Sequence, residues 1–265
     1  MTAARRFDDG SAGDVDYGLI GRDYARYRQP EPAIAARIVA ALGDARTVLN
    51  VGAGAGSYEP TDRDVTAVEP SATMRAQRPP HLPAAIDAVA ERLPFPDESF
   101  DAAMATYTVH QWDDLAAGIG ELRRVTHGPI VILAADPACL HDFWLTHYLT
   151  EALDRELTRF PAIDRIASLL GPGTMVTPVP IPLHCTDGFT EAYYGRPERL
   201  LDPGVQRAMS SWTQLEPEVL ARFDQGLRAD LASGAWDQRF GHLRTEPEYV
   251  GSLRLIVRPD TRRPG

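Results

Sequence analysis

The chain has 265 residues, 44% of them hydrophobic and 24% charged, with a formal net charge of −10 at pH 7, which is enough for one large α/β unit or one unit plus a lid. The acidic balance disfavours a nucleic-acid substrate, because phosphate binding calls for a basic face. All 27 basic residues are Arg, which removes a Walker lysine, a Schiff-base lysine and pyridoxal chemistry together.

In chain order, residues 1–15 are small and polar and are expected to be loosely held. YGLIGRDYARYRQP follows, and a helix here would set Tyr24 and Arg28, four apart, on one face. Pro32 in a first turn, Ile34 and Ile38 four apart, and Gly43 as a stop predict an amphipathic helix. Thr47 to Val51, TVLNV, reads as a buried first strand running into glycines at 52, 54 and 56. Alternating glycines permit positive φ and a close ligand approach, as at the strand ends of nucleotide-binding α/β sheets. Asp64 to Glu69, DVTAVE, predicts a second strand whose terminal acid can accept hydrogen bonds from a ribose. The short step between the two strands contains Pro60, so the first crossover helix should be stunted. Residues 86–89 read as a third strand, 100–107 as a fourth and the apolar run 129–135 as a buried fifth. A helix starting near Asp113 and stopped by Gly128 should join the last two.

Beyond Asp136, residues 139–157 carry a broad apolar helical face that reads as core packing. VTPVPIPL, 176–183, has three prolines and fits an edge strand or strand end, and SLRLIV, 252–257, is the expected last strand. The long excursion between them offers aromatic pocket candidates Phe189, Tyr193, Tyr194 and Trp212 with Arg196 as a charged one. The tail RPDTRRPG reads as loose.

Taken together, VGAGAGSYEP, AVEPS and AERLPFPDESFDAAMATYTVHQW, in that order, resemble class I S-adenosylmethionine-dependent methyltransferases of the small-molecule type. The long excursion resembles the lids of actinobacterial-type members. The resemblance implies a doubly wound, mostly parallel seven-stranded Rossmann-like sheet with a helical cap and lid, and S-adenosyl-L-methionine as cofactor. It assigns the methionine part to the glycine loop, with Gly52, Ala53, Gly54, Gly56 and Ser57, the ribose to Glu69, and the adenine border to Ala90 with Glu91, and it places Asn50, Pro70 and Arg92 among the cofactor-binding residues. Met74 would cover the adenine. The cap would bring Tyr24 and Arg28 to the cofactor's amino-acid end, and Thr106, Thr108 and Trp112 would complete the site. Many relatives carry an acid where this chain has Asn50. His110 is the expected general base, with Tyr107 second and His184 and Asp187 after it. The alternatives are a methyltransferase of tRNA or protein side chains, or a cofactor-binding or cyclase-like protein without methyl transfer.

The organisation expected is a cap over 1–45, a cofactor core over 46–136, a helical insertion with a sixth strand over 137–185, a lid over 186–250 and a last strand with tail over 251–265. Cys139 and Cys185 have no CxxC partner and read as buried, reduced thiols. No histidine has another three or four positions away, so no metal is expected. MTAARRFDDG has no signal-like run and no segment is apolar enough to span a bilayer. The expected protein is cytoplasmic, a monomer or homodimer, acting on a small molecule without nucleic acid or membrane.

Overall fold

The computed structural model describes residues 7–11 and 24–260. Helix α1, Tyr24–Tyr27, leads to α2, Pro32–Ala41, where Glu31 caps the amide of Ala33 and Ile34 and Ile38 are buried. Strands β1, Thr47–Val51, and β2, Asp64–Val68, follow, then the short α3, Ala72–Ala76. After them come β3, Ala102–Thr106, α4, Leu115–Val125, and β4, Ile130–Ala135. The second half holds α5, Thr150–Arg159, α6, Ile163–Leu170, β5, Met175–Pro178, and β6, Ile181–Pro182. It continues with α7, Pro203–Arg207, α8, Pro217–Ser233, α9, Ala235–Phe240, β7, Glu248–Tyr249, and β8, Leu253–Arg258.

A six-stranded sheet runs in the order β2-β1-β3-β4-β8-β5, with β8 antiparallel to both neighbours. This is the mostly parallel, doubly wound α/β sheet that the sequence predicts. Alternating residues of each central strand face opposite sides, and both sides are covered. Val48, Met104, Val131 and Leu133 pack with α2 and the lid, whereas Leu49, Ala103, Ala105 and Ile132 pack with α4 and α6. The polar Asn50 is the one non-apolar residue in the middle of β1, and it is fully buried.

Several local expectations change. The third strand, expected at 86–89, is only an isolated parallel bridge between Ile86 and Val68, so the sheet has six strands rather than the expected seven. Ile86 exchanges backbone bonds with Ala67 and Glu69, but PAAID offers too little β-branched surface to extend the ladder. The helix before β4 ends at Val125 rather than at Gly128. Thr126 turns extended to bridge Phe100, and Gly128 is glycine because a Cβ there would lie 2.1 Å from the Asp101 carbonyl. The apolar run 139–157 is not one helix, since Phe143 is extended and splits it into 3-10 turns over Pro137–Asp142 and Trp144–His147 before α5. Its packing role holds, with Leu140, Trp144, Leu145, Leu149 and Leu153 buried. VTPVPIPL splits between two sheets: β5 forms the exposed edge against β8, and β6 pairs with β7. No helix forms between β1 and β2. Cys185 is buried while Cys139 is only partly so, with the Arg254 guanidinium 3.0 Å from its sulfur.

Candidate active site

The parallel register sets Val51 of β1 beside Val68 of β2, so both chains leave the sheet at the same level. The amides of Gly52 and Ala53 both donate to the Val68 carbonyl, at 2.9 and 3.0 Å. Gly52, Gly54 and Gly56 all have positive φ, and a Cβ on Gly52 would lie 1.9 Å from the Thr108 hydroxyl oxygen. Only glycine lets β1 turn this tightly under the segment that follows β3.

Glu69 stands opposite that turn. One carboxylate oxygen accepts from the Gly54 amide at 2.8 Å and the other from the Ser71 amide at 2.9 Å. Burial pushes its pKa up, and the two amides only partly offset that. The carboxylate, held by these two amides, also lines the cleft. Segment 7–11 docks beside it: Asp9 accepts from the Ser71 hydroxyl at 2.6 Å and Ser11 reaches the same cleft.

The cleft at the strand ends encloses about 920 Å³ with its mouth included. It brings together Arg28, Gly52, Ala53, Gly54, Ser57, Glu69, Pro70, Met74, Ala90, Glu91, Thr106, Tyr107, Thr108 and Trp112 of the residues singled out from sequence. Trp112 fits because α4 carries Gly118 beneath its ring, where a Cβ would approach to 2.5 Å. The Tyr24 side chain, like Tyr17, lies outside the described residues.

Three expected cofactor residues stand elsewhere. Asn50 is sealed under the loop, where its amide donates to Glu59 at 3.0 Å. Glu59 in turn forms a buried bidentate pair with Arg78, at 2.9 and 2.8 Å. Gly56 faces Leu82 and Arg78 in a neighbouring groove, and Arg92 is exposed away from the cleft. Sequence reading missed Ser11, Tyr58, Gln111, Ala88 and Val89, which also line the cleft. Tyr58 and Gln111 were within the quoted motifs, so adjacency alone was the signal available.

A second, inner chamber of about 590 Å³, its mouth included, shares Arg28 and Tyr107 with the cleft. Its walls include His110, Phe160 and Phe189, with Glu156, Arg159 and Glu191 as charged groups. Tyr107 adopts φ +52, held by its amide bond to the Leu133 carbonyl at 2.9 Å, and its ring packs against Phe189 with centroids 5.3 Å apart. Such a conformation costs roughly 1–2 kcal/mol outside glycine and aims the ring between the two cavities. Burial, then the Asp187 charge, hold its phenol protonated, so Tyr107 does not fit the second-choice base role and can instead donate a hydrogen bond.

His110 lies in the inner chamber rather than the outer cleft, edge-on to Phe160 at 4.6 Å. Burial, then the Arg159 and Arg28 charges, lower its pKa well below 6.5, so the ring is neutral at pH 7 and, for the same reasons, a weaker base than an ordinary imidazole. Burial pushes Glu191 up to about 7 against the bonds from Ser252, whose amide donates to both carboxylate oxygens at 3.0 Å. Glu156 is raised by burial too, although the Ser211 hydroxyl donates to it at 2.7 Å.

The remaining lid candidates have structural roles. Trp212 packs against Phe223 at 5.1 Å, and Tyr193 and Tyr194 are buried in the core. Arg196 donates to the carbonyls of Cys185 and Ala192, and His184 is exposed. Phe189 is the one aromatic of the predicted set that lines the chamber, and Asp187 lines the cleft. Among the described residues no group of three or more His, Cys, Asp or Glu side chains could hold a metal ion, and no helix is long and apolar enough to cross a membrane.

The profile of a family described as "Methyltransferase domain" matches residues 49–129. A structure from Anabaena variabilis, named as a candidate methyltransferase of an antibiotic biosynthesis pathway, is 27% identical with a TM-score of 0.81, covering 87% of this chain and 98% of that one. A Thermotoga maritima S-adenosylmethionine-dependent methyltransferase matches at 15% identity and TM-score 0.52 over 92% of this chain and 98% of its own, which shares the fold. A Galdieria sulphuraria structure, named for sarcosine dimethylglycine methyltransfer, does so at 14% identity and TM-score 0.51 over 86% and 83%. No curated protein sequence matches the chain.

Proposed function

We propose that the chain, whose residues 49–129 match a methyltransferase-domain profile, is a class I S-adenosylmethionine-dependent methyltransferase that methylates a small molecule held in the inner chamber. The observation that carries this reading is the junction: Tyr107 and Arg28 line both cavities, so a group at the end of the cleft and a molecule in the chamber meet there. The residues present fit the cofactor. Gly52, Ala53 and Gly54 line the cleft with backbone that a ligand can approach closely, and Glu69 is a buried acid at the same cleft whose burial penalty further donors, such as ribose hydroxyls, would offset. Glu69 would hold the ribose, Met74 and Ala90 the adenine, and Arg28 the amino-acid carboxylate.

When bound, S-adenosylmethionine supplies an electrophilic methyl on a sulfonium. The protein's part is alignment and exclusion of water. Phe160, Phe189 and Tyr107 supply an apolar part of the chamber wall, beside the charged Glu156, Arg159 and Glu191. For an acceptor that must lose a proton, His110, neutral at pH 7, and Glu191, near its own midpoint, are the two chamber groups that can take it, although the burial and Arg charges that hold His110 neutral weaken it as a base.

A low-molecular-weight acceptor is further supported by the net charge of −10 and by the antibiotic-pathway name of the Anabaena protein. Incubating the enzyme with methyl-labelled cofactor and a cell extract, then separating products by size, tests it. Label in the small-molecule fraction is expected. Label confined to RNA or protein would refute the acceptor class while leaving the cofactor assignment standing.

A further inference from the structure

The cap, the glycine turn and the lid meet at one carboxylate. Asp187, only 2% exposed, accepts from Arg28 Nε at 2.5 Å on one oxygen and from the Tyr58 hydroxyl at 2.8 Å on the other. Arg28 follows α1, Tyr58 ends the glycine turn at φ +64, and Asp187 begins the lid stretch. Arg28 and Asp187 also form an isolated antiparallel bridge, and the Gly188 amide donates to the Tyr27 carbonyl at 2.9 Å. The seam leaves no slack, since a Cβ on Gly188 would lie 2.5 Å from that carbonyl and one on Gly204 would lie 2.0 Å from the Tyr27 hydroxyl.

We propose that Asp187 is a positioning residue for the cofactor's amino-acid end, fixing the Arg28 guanidinium so that it meets the methionyl carboxylate. This rests on the cofactor reading given above. A guanidinium has five donors in a rigid fork, so it can serve Asp187 through Nε and a second carboxylate through its Nη groups. Without Asp187 the fork keeps its charge but loses its bearing, and a bidentate partner depends on that bearing. The Tyr58 bond fixes the carboxylate relative to the glycine turn, so turn and guanidinium are set by the same two oxygens. Four residues on, the same stretch supplies Glu191 to the inner chamber, with Phe189 and Thr190 between. Asp187 thus links occupancy of the cofactor's far end to the wall that the acceptor meets.

A mere tie between cap and lid would weaken all ligands alike, whereas a positioning role acts only on ligands that carry the amino-acid end. Calorimetric titration of S-adenosylhomocysteine and of 5′-methylthioadenosine, which lacks that end, separates the two. For Asp187→Asn the expected result is about 10-fold weaker S-adenosylhomocysteine binding, the loss of one charge-assisted contact, with 5′-methylthioadenosine unchanged within error. In an Arg28→Gln background the same substitution should add nothing, because its effect passes through Arg28. Equal weakening of both ligands, or full multiplication of the two effects, overturns the proposal. Tyr58→Phe keeps the carboxylate and provides a milder route to the same split; equal weakening of both ligands in that variant also counts against it. Wild-type protein that binds neither nucleoside overturns the cofactor reading itself.

Discussion

Glu69→Gln is the substitution whose consequences the structure specifies most fully. The wild-type carboxylate receives two backbone amides, from Gly54 and Ser71, and glutamine can accept only one while turning its own NH2 toward the other. One charge-assisted bond worth about 1.5–3 kcal/mol is lost, yet removing the charge also relieves the burial that raises its pKa. The empty protein should therefore be destabilised by only about 1–2 kcal/mol, or about 2–8 °C in melting temperature for a chain of this size. Cofactor binding should suffer more, because ribose hydroxyls bond the charged form: about 10-fold to 150-fold in S-adenosylhomocysteine affinity by calorimetry. The pH dependence has a definite sign. Ligand donors lower the Glu69 pKa, so wild-type affinity is greatest above the empty-site pKa and declines as pH falls through it, and the Gln variant lacks this slope. A twofold or smaller change in affinity, with the fold intact and the slope retained, would refute the ribose role.

Three further outcomes are expected. Gly52→Ala, at φ +70 and with its Cβ 1.9 Å from Thr108, should abolish S-adenosylhomocysteine binding, whereas Gly54→Ala, whose nearest neighbour is Met74 Cε at 3.3 Å, should cost only the backbone term of about 1–2 kcal/mol in a melt; equal effects would contradict the turn geometry. Glu191 has a folded pKa of about 7 against an ordinary 4.5, so its contribution is intact below 4.5 and about 3 kcal/mol is lost as pH rises to 7. The melting temperature of Glu191→Gln relative to wild type should accordingly rise across that window, and a flat difference would contradict the assignment. The His110 imidazole, followed by NMR, should titrate below 6.5, and His110→Gln should lower turnover on the labelled acceptor by roughly two to four orders of magnitude with cofactor affinity held; unchanged turnover removes it as the base.

The parallel core was legible because both faces of each central strand are buried, so TVLNV and PIVILAA read as strands without alternation. The turn was legible because positive φ at Gly52, Gly54 and Gly56 admits few other residues. The orientation of Asn50 was not legible, since sequence cannot tell a side chain facing a ligand from one facing down onto Glu59. The inner chamber was largely invisible. Phe160, Phe189, Glu191 and Ser252 come from distant parts of the chain and meet only after the lid folds, so no local spacing announces them. His110 was found as a residue but not as a member of that chamber, because its neighbour Phe160 closes a helix fifty positions away in sequence.

The most direct test of the two-cavity account is a crystal structure of the protein with S-adenosylhomocysteine. The account predicts the ribose against Glu69, the amino-acid carboxylate at Arg28, and the sulfur turned toward Tyr107 and the inner chamber. A nucleoside seated in the neighbouring groove beside Gly56 and Arg78, or one whose sulfur faces solvent with the inner chamber closed off behind it, would contradict it.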